Sequence, residues 1–96
     1  MNFPRGIRAD TKTAFEMYHM FTAFKTSDIR NLFACGASSA NKIKKIAIEE
    51  MAKEGVKLYS EDRNLVDKDV LYKIAGIDIN KVNRSYKMLR NMEIQK

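Results

Sequence analysis

The sequence predicts a mainly α-helical domain with one short β-hairpin after its longest helix. Apolar residues recur at spacings of three and four along most of the chain, which is the period of an α-helix with one buried face. Between residues 56 and 66 the period changes to two, as in a strand. With 96 residues, of which 45% are apolar, the chain can form one modest core. We therefore expect a single domain over residues 1–96.

Composition narrows the classes of function. Eighteen basic and twelve acidic side chains give a net charge of +6, which favours a polyanionic partner. The single cysteine cannot form an internal disulfide, and no apolar run approaches the ~20 residues that cross a bilayer. The N-terminus lacks a signal-peptide pattern, so we expect a cytoplasmic protein with no membrane partner.

An enzyme is the least supported class of protein. The chain has one histidine and one cysteine, and it has no paired-cysteine metal spacing and no glycine-rich phosphate loop. Cys35 is interpreted as a packing residue. We expect no catalytic residue, no cofactor and no metal ion.

The first 25 residues predict an irregular, flexible arm followed by a helix. Pro4 and Gly6 disfavour a helix over residues 1–9. Residues 10–25 are predicted to form the helix, capped by Asp10 or Thr11. Its apolar face is broad and contains Ala14, Phe15, Met17, Tyr18, Met20, Phe21 and Phe24. Such a face covers the core of the domain or leaves surface for a dimer contact.

Residues 26–45 predict a short helix, a sharp turn and the start of a long second helix. Thr26 or Ser27 is expected to cap the first helix. Gly36 is expected to take the unusual backbone conformation that the turn needs. The inward face of the first helix consists of Ile29, Leu32 and Phe33.

The second helix is predicted to end near Glu54, with Gly55 as its C-cap. Its inward positions are Ala40, Ile43 and Ala47. Its outward face carries small polar and basic side chains, with no carboxylate before Glu49: Ser38, Asn41, Lys42 and Lys45. Lysines neutralise phosphates and an asparagine can bond an adenine edge, so this face suits a nucleic-acid duplex, although a lysine-rich face is also typical of plain solvated surface. Lys44 adds to the positive charge of the same half.

The segment after Gly55 predicts the β-hairpin. Residues 56–59 alternate, residues 60–64 have turn chemistry, and residues 65–66 are a short apolar return. Arg63 and Asn64 lie near the expected tip, where they can reach a groove or a phosphate. The alternative is a loop that crosses the surface.

Two further helices are predicted at the C-terminus. Asp67 is expected to cap a helix that Gly76 ends, and Asn80 to cap a last helix that runs to about Met92. Residues 67–96 thus form the C-terminal helices. The apolar stripe of the last helix contains Val82, Tyr86 and Leu89, with Met88 and Met92 beside it. This helix docks on the core, pairs with a second subunit, or lies along phosphates.

The stretch over residues 26–45 resembles the helix-turn-helix family of DNA-binding proteins. The positions that carry this resemblance are Ile29, Phe33, Ala34, Cys35, Ala40 and Ile43. The chain departs from the family at Arg30, where a tightly packed alanine is usual, and at Ala34, where glycine is usual.

From Thr26 to Ile79 the predicted order is a helix, a turn and a lysine-bearing helix that ends in Glu54-Gly55, then Val56-Lys57-Leu58-Tyr59, a basic turn, Leu65-Val66-Asp67 and a short helix that ends in Ala75-Gly76-Ile77. This order resembles the small excisionase-type and winged-helix regulators encoded beside integrases in prophages and integrative conjugative elements. The resemblance implies a winged helix-turn-helix over residues 26–66, with a recognition helix in the major groove and a wing on the minor groove or backbone. The groove-facing positions would be Ser38, Asn41, Lys42 and Lys45, and the wing positions Arg63 and Asn64. It implies sequence-specific duplex DNA binding by a small phage or mobile-element protein, as an excisionase-like architectural factor or a transcriptional regulator.

The competing hypothesis is a phage or plasmid interaction protein. Such a protein would use the aromatic N-terminal helix and the C-terminal stripe to form oligomers, as small packaging-motor subunits do, or would inhibit a host protein. The placement of charges distinguishes the two hypotheses. A protein that binds only other proteins has no need of a narrow helix face that contains lysines and lacks acidic residues.

Overall fold

The computed structural model describes residues 3–4, 6–56 and 65–94 of the chain, with side chains up to residue 92. This part contains five α-helices and a two-stranded antiparallel sheet. In chain order the elements are α1 (Thr11–Met20), β1 (Ala23–Phe24), α2 (Thr26–Phe33), α3 (Ala37–Glu54), β2 (Val66–Asp67), α4 (Lys68–Ile74) and α5 (Ile79–Ile94). The prediction of a mainly α-helical domain is confirmed.

The first helix is capped as predicted but is shorter. The Asp10 carboxylate accepts a hydrogen bond from the backbone N–H of Thr13 at 3.3 Å. The prediction that the helix continues to residue 25 is wrong, because α1 ends at Met20 and β1 follows. The last apolar residue, Phe24, is fully buried all the same. A helix with this spacing and a short strand would both bury Phe24 in the core. The spacing of the apolar residues therefore does not distinguish a helix from a strand here.

The strand β1 pairs with β2 in antiparallel register, Ala23 opposite Asp67 and Phe24 opposite Val66. The hairpin predicted over residues 56–66 lies mostly outside the described residues, and Arg63 and Asn64 lie outside them too. Val66 does form a strand, but the partner described for it precedes α2. The sequence analysis did not anticipate this pairing, because the partner is far away along the chain.

The start of α2 and its turn differ in detail from the prediction. The Asp28 carboxylate accepts from the backbone N–H of Lys25 at 3.1 Å, so Lys25 is the N-cap rather than Thr26 or Ser27. Ala34 takes the left-handed conformation, with φ 50°, and not Gly36. The chain must reverse directly after the last turn of α2, which is where Ala34 lies, whereas Gly36 is the extended N-cap of α3.

The core lies where α2, α3 and α4 meet α1 and the sheet. The predicted inward positions of α3 are confirmed, since Ala40, Ile43 and Ala47 are fully buried. The other buried side chains are Ala14, Met17, Phe24, Ile29, Leu32, Phe33, Met51, Val66, Val70, Leu71, Tyr72 and Ile74. The described part of the arm is irregular, as predicted, and it packs on this core. Phe3 lies edge-on to Phe33, with ring centroids 5.6 Å apart.

An aspartate directly precedes each of the last two helices. Asp67 caps α4 as predicted, accepting from the backbone N–H of Val70 at 3.0 Å, and Gly76 follows the helix with φ 73°. The predicted cap of α5 at Asn80 is wrong, because the helix already begins at Ile79. The Asp78 carboxylate instead accepts from the N–H of Asn80 at 2.9 Å. Aspartate and asparagine both cap helices well, and Asp78 precedes Asn80 in the chain.

Candidate nucleic-acid interface

The orientation of α3 is fixed by its buried side. Ala40, Ile43 and Ala47 are each 0% exposed, so the helix cannot rotate about its axis without opening the core. Gly36 begins the helix, and its carbonyl accepts from the N–H of Ala40 at 3.0 Å. The side chains opposite the buried row therefore face outward. These outward residues, called here the α3 polar face, are Ser38, Asn41, Lys42 and Lys45, and all four are exposed.

The α3 polar face is electropositive. Within the described residues the one ion pair joins Lys73 to Glu54 at 2.6 Å, so Lys42 and Lys45 are not neutralised by a described carboxylate. The first turn of α3 contains no acidic residue. The positive end of the helix dipole adds to the same field. The first carboxylate along α3 is Glu49, which lines a shallow cleft together with Asn41 and Lys45.

Lys44 lies at the border of the α3 polar face, where it lines a shallow cleft together with Asn41 and Lys45. It is half-buried and makes a contact within the chain. On an ideal helix it points about 100° away from Lys45. Of the five α3 residues selected from the sequence, four are exposed on the α3 polar face, and Lys44 lies half-buried at its border.

Ile48 is a residue that the sequence analysis missed. It is 38% exposed, and with Asn41, Lys44, Lys45 and Glu49 it lines a shallow cleft of about 230 Å³. An exposed apolar side chain beside an amide and a lysine can contact the methyl group of a thymine. The exposure of Ile48 could have been predicted from its position, because Ile48 follows Ala47 and falls outside the buried row of α3.

A second cleft, of about 320 Å³, lies beside the turn between α2 and α3. Its lining residues are Ser27, Arg30, Asn31, Ala34 and Cys35. Arg30 is exposed and has no carboxylate partner in the part of the chain that the structure describes. This position therefore accepts a large side chain and does not require the alanine that is usual in the helix-turn-helix pattern. In the sequence Arg30 is only a departure from that pattern, whereas in the structure it is an exposed cation near the start of α3.

A polar cluster between α1 and α4 is structural rather than reactive. The Tyr18 hydroxyl donates to the Asp69 carboxylate at 2.6 Å, and the Lys68 ammonium lies 4.0 Å from the centre of the Tyr18 ring. The hydrogen bond to Asp69, followed by burial, raises the pKa of Tyr18. A raised pKa keeps the phenol neutral, which is the opposite of what a nucleophile needs.

Metal ligands, the single cysteine and membrane-spanning helices are the remaining features that bear on function in the described residues. No three His, Cys, Asp or Glu side chains come close enough there to hold a metal ion. Cys35 is half-buried against the core, where the sequence analysis expected a packing residue. No described helix has both the length and the apolar content required to span a membrane.

Comparisons with protein-family models, with curated proteins and with solved structures find no match to this chain. The excisionase-type resemblance accordingly rests on the residues quoted for it, and the function is argued from the geometry of α2 and α3.

Proposed function

We propose that the protein binds duplex DNA through the α3 polar face. The observation that supports this most directly is the segregation of side chains on one half of one helix. Lys42 and Lys45 lie exposed and unneutralised on the side opposite a fully buried row, and no acid precedes Glu49. In this proposal the two lysines contact phosphates, Asn41 contacts base edges, and Ser38 lies near the backbone at the helix N-terminus.

The arrangement of the neighbouring elements supports a recognition helix. Three residues join α2 to α3, and the two helices pack on each other. The outer side of α2 presents Arg30 next to this connection, where a phosphate of the same duplex can be contacted.

The sheet supports a wing after α3. Gly55 is the C-cap of α3, and Val66 begins β2, which pairs with β1. Both ends of the intervening segment are therefore anchored close to α3. We infer that this segment, with Arg63 and Asn64, is the wing that contacts the neighbouring groove or backbone.

The biological role proposed is that of a small phage or mobile-element regulator in the cytoplasm. It acts either as an excisionase-like architectural factor or as a transcriptional regulator. Both roles use the same recognition of duplex DNA. A homodimer would let two copies of α3 read half-sites about one turn of DNA apart.

The second candidate, an interaction protein, is favoured by a different observation. The last two turns of α5 expose Met88, Leu89 and Met92, which a monomeric DNA reader does not need. One protein can both bind DNA and form oligomers. The exposed apolar surface of α5 therefore favours the interaction protein over the DNA-binding protein only if the α3 polar face does not bind DNA.

The deciding experiment measures fluorescence anisotropy of a labelled random-sequence duplex over a range of salt concentrations. We expect binding that weakens linearly in log–log form between about 50 and 200 mM salt, because phosphate contacts release counterions. The same sequence as a single strand is the control, and it should bind more weakly. An absence of duplex binding at low salt and micromolar protein would reject the proposal and leave the interaction protein.

A further inference from the structure

The helices α1 and α5 run antiparallel and are joined by ring and polar contacts. The Phe15 and Tyr86 rings stack, with centroids 3.9 Å apart. One turn away, His19 Nε2 and Asn83 Oδ1 lie 3.1 Å apart. The helix α1 begins at Thr11, whereas α5 continues for about two turns beyond Tyr86. The end of α5 therefore extends past the first turn of α1.

A cleft of about 350 Å³ lies where α5 passes the first turn of α1. Its lining residues are Lys12, Tyr86, Leu89 and Arg90, and it is called here the α1–α5 cleft. Its volume falls at the small end of the range for ligand sites, roughly 300–1,000 Å³. Two cations, a phenol and an aliphatic side chain thus border one concave surface, which suits a ligand that is both anionic and apolar.

The two cations of the α1–α5 cleft are not neutralised by nearby acids. Lys12 and Arg90 are exposed, and neither is paired with a carboxylate in the part of the chain that the structure describes. Glu16, one turn along α1 from Lys12, is exposed and makes no ion pair there. The Asp10 carboxylate caps α1 by accepting from the Thr13 N–H. Along α5, residues 79–92 contain four basic side chains and no acidic one: Lys81, Arg84, Lys87 and Arg90. This end of the domain therefore attracts an anionic ligand.

Apolar side chains continue from the cleft along one side of α5. Leu89, which lines the cleft, is 48% exposed, and Met88 and Met92 are 66% and 65% exposed. On an ideal helix these three residues lie within about 100° of one another, and Lys87 and Arg90 lie on the other side. Such a patch of flexible apolar side chains is typical of a binding surface. With cations beside it, the patch is typical of a basic amphipathic helix that binds an acidic partner.

We propose that the α1–α5 cleft binds an acidic amphipathic segment of a partner protein. An apolar side chain of that segment lies in the cleft against Leu89. Carboxylates of the segment pair with Lys12 and Arg90, and the guanidinium group can bind a carboxylate through two parallel hydrogen bonds. The other apolar residues of the segment cover Met88 and Met92. This binding goes beyond duplex binding by the α3 polar face and does not depend on it.

The cations, the apolar patch and the concave shape together favour this occupant over others. A nucleic-acid backbone neutralises the cations but presents no aliphatic side chain to the methionines. A second copy of α5 covers apolar surface, but over residues 79–92 it brings four more cations and no carboxylate for Lys12 or Arg90. An anionic membrane supplies negative charge and apolar surface, but a flat bilayer does not enter a cleft between two helices. An acidic amphipathic segment fits all three features.

The association should be weak and salt-dependent. The start of α1 and the end of α5 offer a small contact area, so the complex belongs with transient interfaces of less than about 1,200 Å². The cations of the cleft are exposed, and added salt therefore screens their attraction for carboxylates. We expect the dissociation constant to increase with salt concentration.

Amide chemical shifts of the isotope-labelled protein test the proposal with synthetic peptides of about 15 residues, roughly four helical turns. The probe has leucines at helical spacing and glutamates at the other positions. One comparison peptide has lysines in place of the glutamates, and another has alanines in place of the leucines. The probe should shift the amides of Lys12, Tyr86, Leu89 and Arg90. The lysine peptide should shift none of them, and the alanine peptide should bind at least ~10-fold more weakly. No shift at millimolar probe, or equal binding of either comparison peptide, overturns the proposal.

Two charge-matched variants test the cations of the cleft. Lys12→Gln/Arg90→Gln should bind the probe at least ~10-fold more weakly than the parent, whereas Arg30→Gln/Lys53→Gln should bind it equally well. All four residues are exposed, so neither variant should disturb the fold, which circular dichroism verifies. Parental affinity of the first variant, when folded, contradicts the proposal.

The same amides identify any other occupant. The proposal predicts that random duplex and phosphatidylserine vesicles do not displace the probe at about 150 mM salt, and that diluting the free protein leaves these shifts unchanged. Displacement by duplex or vesicles would assign the cleft to nucleic acid or membrane, and a dilution effect would assign it to a second copy; each result overturns the proposal. Duplex binding by Lys42 and Lys45 is measured on α3, so the two proposals fail separately.

Discussion

The hydroxyl group of Tyr72 donates a hydrogen bond of 2.7 Å to the backbone carbonyl of Ala14, and this bond joins α4 to α1 inside the core. A second bond, from Tyr18 of α1 to Asp69 of α4, lies next to it at the surface. The two tyrosine rings are also in contact, with centroids 5.2 Å apart. These contacts join α1 to α4, and β2 packs against both α4 and α3.

The Tyr72→Phe variant should lower the free energy of unfolding by roughly 0.5–1.5 kcal/mol, the usual net contribution of one hydrogen bond. Chemical denaturation monitored by circular dichroism measures the change. Tyr86→Phe is the matched control, because the contact described for Tyr86 is the ring stack on Phe15 and the ring is retained. A Tyr72→Phe variant as stable as the parent would show that this bond does not hold α1 on α4.

The stability of the fold should decrease at high pH. Burial raises the pKa of Tyr72, and the hydrogen bond to Asp69 raises the pKa of Tyr18. A group whose pKa is higher in the folded than in the unfolded chain binds its proton more tightly when folded, so its contribution is complete below the unfolded pKa of about 10 and is lost as the pH rises through the folded pKa. Urea midpoints measured from about pH 8 to 12 should fall above pH 10. A Tyr18→Phe/Tyr72→Phe variant should show a smaller fall, and an unchanged pH dependence would contradict this assignment.

The Ala34→Gly variant should be more stable than the parent by about 0.5–1 kcal/mol. Ala34 has φ 50°, a left-handed conformation that costs an L-residue roughly 1–2 kcal/mol and costs glycine almost nothing. The greater freedom of glycine in the unfolded chain offsets part of the gain. Ala52→Gly, at an exposed position inside α3, is the control and should lose about 0.5–1 kcal/mol. Thermal denaturation of both variants measures the difference, and a destabilised Ala34→Gly would contradict the turn geometry.

Periodicity predicted the helices, and the tertiary contacts decided where some of them end. The buried row of α3 and its exposed face followed from spacing alone, because one long helix has one inward side. The end of α1 did not follow from spacing. Phe24 is buried as part of a strand, and the strand partner of Phe24, Val66, lies far away along the chain. The turn was misassigned because Gly36 is the better left-handed residue, yet the position that requires this conformation is occupied by Ala34.

Within the candidate site, residue type was a better guide than pattern. Lysines and an asparagine on one face could be selected from the sequence, whereas only the structure shows that Lys44 is half-buried. Arg30 was missed because it was compared with the helix-turn-helix pattern and its exposure could not be seen in the sequence, and Ile48 was not considered.

Asn41→Ala should separate base recognition from phosphate binding. Once a preferred duplex has been selected from a random library, the variant should lose about 1–3 kcal/mol of binding free energy on it, as expected for a lost contact to a base edge. Binding to random duplex should be nearly unchanged. Asn91→Ala, an exposed asparagine on α5, is the control and should match the parent on both duplexes. Equal losses on selected and random duplexes would place Asn41 on the backbone instead.

The most direct test of the central claim is the salt dependence of duplex binding by the Lys42→Ala/Lys45→Ala variant, compared with Lys53→Ala/Lys87→Ala. All four lysines are exposed, and both variants lose two positive charges, but only the first pair lies on the α3 polar face. The first variant should bind every duplex more weakly, and its log–log salt slope should fall in magnitude by roughly two units, about one for each lost phosphate contact. The second should keep the slope of the parent. If the first variant is folded and binds with the affinity and slope of the parent, α3 is not the DNA-binding helix.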